Sequence, residues 1–219
     1  GKHRLRDELI LVFKEKEPYA IVRRLDTLYN LTFVDAGLAI RSDLKNKFDS
    51  IRTMPRRFQQ IVVHTRGLEL WLMYLSLFVS VLGGRQLHDF LYAYAFRRTE
   101  AIRILSFKKE FARLKEQLSK RSLSAFRLHA LLDPLSYEVI MLTYALSRKQ
   151  IIQQRIKEFF VEHHHKKLTI TGHDLLSLGL APGPAFRAVF RKVFRAKING
   201  TVHNRREELA FARKIIKST

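Results

Sequence analysis

The chain contains no cysteine. That excludes disulfides, cysteine-ligated zinc and a cysteine nucleophile, and it fits a reducing compartment. Acidic residues are also scarce: Asp and Glu total 20 against 41 Lys and Arg, a formal net charge of +21 over 219 residues. Such an excess selects polyanionic partners, nucleic acid before an anionic membrane. No apolar run is long enough to span a bilayer. The longest, "LWLMYLSLFVSVL", covers thirteen residues from Leu70 to Leu82, where about 20 are needed. It reads instead as a buried core helix, within a helical pattern from Leu68 to Leu82. Hairpin signals are missing as well. The pair Asn199-Gly200 ends a helical pattern rather than joining two alternating runs. No signal peptide, internal repeat or low-complexity segment is visible. Gly1 starts abruptly in helical spacing, so a fragment of a longer protein is expected.

What is present is helical. Leu5, Leu9, Val12 and Phe13 share one face, and Pro18 opens a second helix with Ile21, Leu25 and Leu28. A long helix is predicted over Ser42 to Thr65, with Pro55 kinking or splitting it. Amphipathic patterns follow over Gln86 to Phe96 and Thr99 to Leu118. Asp133 and Pro134 form an N-cap and first-turn pair for "LSYEVIMLTYALS". Apolar residues in "RKQIIQQRIKEFFVE" recur with helical spacing. The predicted fold is all-α, a multi-helix neck, body and tail in an elongated array of ten to twelve helices. The expected domains are 1–45, 46–146 and 147–219. Their net charges are +2, +8 and +11, so the last third holds half of the excess.

That basic third contains the most informative stretch. Thr171 and Asp174 have capping-box spacing, Gly179 suits a helix C′ position, and Pro182-Gly183-Pro184 is a tight turn. In the helix after it, Phe186, Val189, Phe190, Val193 and Phe194 form an apolar face. Arg187, Arg191 and Arg195 recur every four residues on another, with Lys192 and Lys197 nearby. A helix start offers free N–H groups and a positive dipole end, and glycine lets a phosphate approach closely. The turn therefore reads as a phosphate seat with Arg187 as a clamp. An ordinary inter-helix turn before a solvated face is the alternative reading. Asn204 and Glu207 form a second capping box, for a helix carrying Arg205, Arg206, Arg213 and Lys214. The candidate RNA-binding residues are Thr171, Gly172, Gly183, Pro184, Arg187, Arg191, Arg195, Lys197, Arg205 and Arg206.

Two constellations suggest metal chemistry. His163 to His165, near His173 and His203, lack partners at ligating spacing and read better as added positive charge near RNA. His64, His88, Asp89 and Asp133 mimic the order of an HD-type metal phosphohydrolase. Yet His88 and Asp89 sit on an ordinary amphipathic pattern, and Asp133 reads as a cap. No Walker loop, G-x-G-x-x-G, G-x-S-x-G or D-x-D pair occurs. A protein-docking module built on the Phe-rich helix is a further alternative.

The stretch "ITGHDLLSLGLAPGPAFRAVFRKVFRAKINGTVHNRREEL", Ile170 to Leu209, resembles the tail of bacterial class II tRNA nucleotidyltransferases. The matching features are an I-T-G-x-D-L run, a G-x-x-P-G-P turn, a helix, and an E-E-L helix start. Asn199-Gly200 stands where the family has Asp-Gly. "HRLRDELILVF" and "IVRRLDTLYNL" resemble the family's neck, and "LDPLSYEVIMLTYALS" a helix of its body. The family comprises CCA-adding and A-adding enzymes and bacterial poly(A) polymerases. Its head motifs, G-S-x-x-R-D, D-x-D and E-D-x-x-R, do not occur here. The resemblance implies a cytoplasmic RNA-binding portion that holds the acceptor and T arms of tRNA by shape and backbone. It also implies a separate catalytic head in the parent protein that uses Mg2+ with ATP and CTP. No cofactor, catalytic residue or metal is expected in this chain, and no membrane partner.

Overall fold

The computed structural model describes residues 1–62 and 66–218. Among the described residues the fold is all-α, with thirteen α-helices and no strand. The helices are α1 (Lys2–Lys14), α2 (Pro18–Tyr29), α3 (Leu44–Arg52), α4 (Met54–Ile61), α5 (Leu70–Phe78), α6 (Gly84–Ala93) and α7 (Arg98–Leu118). They continue with α8 (Ala125–Leu132), α9 (Tyr137–Leu146), α10 (Gln150–Glu158), α11 (Gly172–Ser177), α12 (Pro184–Ile198) and α13 (Arg205–Lys217). The chain divides into two compact units. One comprises 1–120 with 134–156; the other comprises 121–133 with Lys157 onward. No described helix is long and apolar enough to cross a membrane.

The first unit is built around α5. This helix is apolar on every side, so it is stable only when surrounded. Trp71 through Phe78 are all buried, with α1, α3, α7 and α9 packed about them. The apolar run continues as a 3-10 turn over Val79–Val81 and ends at Gly83-Gly84. The expected core helix is therefore present, shorter than its pattern. The segment entering α5 is pinned by a buried carboxylate. Glu138 on α9, 2% exposed, accepts two hydrogen bonds from Arg66 at 2.6 and 3.0 Å and one from the Glu69 N–H at 3.3 Å. Arg103 on α7 bonds Glu69 and reaches Glu138 at 3.4 Å. Burial pushes the Glu138 carboxyl up, but the Arg66 bonds and the backbone donors outweigh it and hold it below the usual range.

Two boundary expectations change. The helix predicted over Ser42 to Thr65 is two helices that meet at Thr53, with Pro55 in the first turn of α4, where its missing N–H does no harm. Residues 63–65 lie outside the described residues. Asp133 does not cap α9. It lies at the end of α8 in helical backbone, with φ −55° and ψ −38°. The cap is Ser136, whose extended backbone lets its hydroxyl accept the Val139 N–H at 3.4 Å.

The second unit has α12 and α13 packed together and α11 beside them. Ile170, Leu175, Val189, Val193, Ala212 and Ile215 form its core, flanked by Phe186, Phe190 and Phe211. Elsewhere in the unit, α8 packs on a π-helical turn, Phe159–His163, and on α12. The rings of His129, Phe159 and Phe194 meet there at 5.0–5.9 Å.

Candidate nucleic-acid interface

The site grows from three local devices in the second unit. The first is the capping box of α11. The Thr171 N–H and hydroxyl both donate to Asp174, at 2.7 and 3.1 Å. Arg205, at the start of α13, reaches the other oxygen of the same carboxylate at 2.5 Å. The Thr171 N–H foremost, with the Thr171 hydroxyl and Arg205, holds Asp174 below the usual carboxylate range. Thr171 and Arg205 thus belong to one polar cluster. Gly172 is adjacent; a Cβ there would meet the Phe186 ring at 3.6 Å, ordinary contact.

The second device is the turn between α11 and α12. Gly179 has φ +82°, the Gly179 N–H donates to Leu176 and the Leu180 N–H to Leu175, a Schellman-type closure. Gly183 then adopts φ +155° and ψ −163°, backbone open essentially to glycine alone. Pro184 follows in the first turn of α12, and no side chain caps that helix start.

The third device is α12 itself. Val189, Val193 and Ala196 are buried. Arg187, Arg191 and Arg195 are all exposed, each about 6 Å further along the axis than the last. Among the described residues none of the three forms an ion pair. They make a row of guanidinium groups without ion-pair partners among the described residues, an arrangement able to donate to phosphate oxygens.

Lys197 differs. Its ammonium turns inward to Glu208 of α13, a carboxylate with no exposed surface that also accepts from the Thr169 N–H and hydroxyl and the Ile170 N–H at 2.8–3.0 Å. Burial pushes Glu208 up, and the Lys197 hydrogen bond with the Thr169 and Ile170 donors more than reverses it. Arg206 is exposed on α13. A second basic surface, missed in the site reading, lines a shallow depression at the end of α13 with Arg213, Lys214 and Lys217 around Ala210. Its signal was in the sequence, as cations spaced along one helix.

The metal readings find little support. Among the described residues no three His, Asp or Glu side chains converge to hold a metal ion. His88 and Asp89 are both exposed on α6, 3.9 Å apart. His64 lies outside the described residues, and Asp133 faces His129 at 3.6 Å. The three consecutive histidines are not a surface charge patch. His163 is 6% exposed and bonds Glu158 at 3.1 Å, and His164 is half-buried; only His165 is exposed.

Comparison with known proteins places the chain by family and fold. Residues 68–212 match the family model for tRNA nucleotidyltransferase domain 2. The chain is 21% identical, over 97% of its length, to an A-adding tRNA nucleotidyltransferase of Geobacter sulfurreducens, of which it covers 24%. An A-adding tRNA nucleotidyltransferase of Halalkalibacterium halodurans is 31% identical over 70 residues, 32% of this chain and 16% of that protein. Among solved structures, the Thermotoga maritima CCA-adding enzyme complexed with tRNA superimposes with a TM-score of 0.74 at 20% identity, over 97% of this chain and 51% of that one. A CCA-adding enzyme in an apo form gives 0.73 at 21% identity, over 99% of this chain and 49% of the other. The chain therefore spans about a quarter, or less, of the curated relatives and about half of the solved enzymes.

Proposed function

Because the chain belongs to the tRNA nucleotidyltransferase domain 2 family, we propose that it is the RNA-gripping portion of a tRNA nucleotidyltransferase. The observation that carries this reading is the row Arg187, Arg191 and Arg195, exposed and without ion pairs among the described residues. Each guanidinium offers paired N–H donors to phosphate oxygens, and the packed face of α12 fixes their spacing. The contacts are to backbone, so they select shape and strand geometry more than sequence. The uncapped start of α12, opened by Gly183, adds a seat for one more phosphate. Arg205 and Thr171 support the turn through Asp174, Lys197 supports α12 through Glu208, and Arg206 faces solvent beside them.

The role in the parent protein is to hold a tRNA body so that its 3′ end reaches a catalytic head. That head would add A or C with Mg2+ and the nucleoside triphosphate. The sequence offers no Asp-x-Asp pair, so no residue of this chain is assigned to the metal or the nucleotide. The Thermotoga maritima CCA-adding enzyme, similar in fold over 97% of this chain, is complexed with tRNA, which supports this choice of RNA.

The test is tRNA binding at two salt concentrations, against an unstructured RNA of equal length. Tighter binding of tRNA, lost steeply with salt, is expected. Equal affinity for both would favour the RNA arm of a poly(A) polymerase. Absence of binding would overturn the reading for this chain.

A further inference from the structure

Residues 121–133 lie in the middle third of the chain's charge count, and the structure packs them with the basic C-terminal unit. Within that unit the first turn of α8 is fastened to the last turns of α12 by three contacts. The Phe126 N–H donates to the side-chain oxygen of Asn199 at 3.1 Å. The Phe126 ring meets Phe194 edge-on, with centroids 6.5 Å apart. The Arg195 guanidinium carbon stands 5.8 Å from the centroid of the same Phe126 ring.

The consequence concerns Arg195. A long, exposed arginine loses rotamer freedom when it binds, and the loss weakens the contact. A ring face beneath the guanidinium holds the plane in place while leaving its N–H groups free at the edge, since a cation–π contact uses the face and not the donors. Arg195 is therefore pre-oriented in a way that the pattern of α12 alone does not provide.

Arg127 follows immediately. Its side chain is exposed, and among the described residues it has no ion-pair partner. Its N–H is taken by the hydroxyl of Ser124 at 3.3 Å, and that of Phe126 by Asn199. Two of the first backbone donors of α8 are thus already taken, and the exposed charged group at this helix start is the Arg127 side chain. The acidic residue of this segment, Asp133, lies at the other end of α8 against His129.

We propose that the RNA surface of the second unit extends from the arginine row of α12 onto the first turn of α8. Arg127 is an additional phosphate contact, and Phe126 is a positioning residue for Arg195. The ligand is the phosphodiester backbone of a folded RNA. The proposal rests on the RNA-gripping reading of the same unit.

The experiment is a titration of folded tRNA with this chain and its variants over a series of salt concentrations. Arg127→Ala is expected to lower the magnitude of the log–log salt slope by about 0.7 to 0.9, one phosphate contact. Phe126→Leu keeps an apolar group against Phe194 but removes the ring face. It is expected to weaken binding about two- to fivefold, the size of an exposed cation–π contact. In an Arg195→Ala background the same substitution should have no further effect, and Phe126→Tyr should restore wild-type affinity. A merely structural Phe126 would instead weaken binding equally in both backgrounds, which overturns the positioning role. An unchanged slope in Arg127→Ala, with a reduced one in Arg187→Ala, overturns the extension and leaves the α12 grip standing. Unchanged slopes in both overturn the extension and the grip together.

Discussion

At the scale of single residues, the second unit is held together by a buried carboxylate on α13. Glu208 gathers the Thr169 N–H and hydroxyl, the Ile170 N–H and the Lys197 ammonium around one carboxylate with no exposed surface. It ties the segment leading into α11 to α13, and α13 to the end of α12. Removing one partner of a buried pair leaves the other charged and uncompensated, which costs about 3–5 kcal/mol. The Lys197 side chain is only 13% exposed, so water repairs little. Glu208→Ala is therefore expected to lower the stability of the chain by that amount in urea denaturation. Lys197→Met should cost less than Glu208→Ala, since Glu208 keeps its backbone donors.

At the scale of elements, the packing under α12 makes stability depend on pH. His129, on α8, lies against Phe159 of the π turn and Phe194 of α12; His164 lies against Phe159 and Phe160. Burial, foremost, lowers the pKa of both imidazoles below their ordinary 6.5, and Asp133 opposes it only partly. The neighbouring charges are His163, His165, Lys167 and Glu158. In the unfolded chain these histidines take up protons near pH 6.5, while in the folded chain they resist until lower pH. The unfolded state thus binds more protons, and stability falls as pH drops below about 6.5. Above that, these groups contribute no slope. Glu138 and Glu208, whose pKa values are also lowered, begin to act only below their ordinary 4.5. Urea midpoints are therefore expected to be flat from pH 8 to 7 and to decline from 6.5 to 5. His129→Phe should reduce that decline. The same elements show what was legible in the sequence. The start of α11, the Gly179 and Gly183 turns and the apolar–basic division of α12 follow from local chemistry, and all were readable. The buried destination of Lys197, the choice of Ser136 over Asp133 and the packing of α8 against α12 were not. Each depends on a partner distant in sequence, or on backbone dihedrals that several residue types would accept.

At the scale of the whole molecule, the proposed RNA grip raises the question whether +21 of net charge or a particular row of arginines would carry it. A basic protein attracts polyanions at long range, and that attraction carries no information about contact. The two effects separate with salt. A charge that does not touch the RNA is screened beyond about 8 Å at physiological ionic strength. A charge that neutralises a phosphate releases a counterion and adds to the slope at every salt concentration. Two arginine pairs offer a matched comparison. Arg187 and Arg191 lie on the exposed row of α12; Arg56 and Arg57 are exposed on α4 in the other unit. Alanine at either pair removes the same two charges. If net charge governs binding, both double variants lose affinity equally at low salt. If the α12 row is the contact, Arg187→Ala with Arg191→Ala lowers the magnitude of the tRNA salt slope by about 1.4 to 1.8. Arg56→Ala with Arg57→Ala then leaves the slope nearly unchanged and weakens binding only at low salt. The second pattern is the expected one, because the row combines fixed spacing, exposure and, among the described residues, freedom from ion pairs, whereas net charge combines none of these.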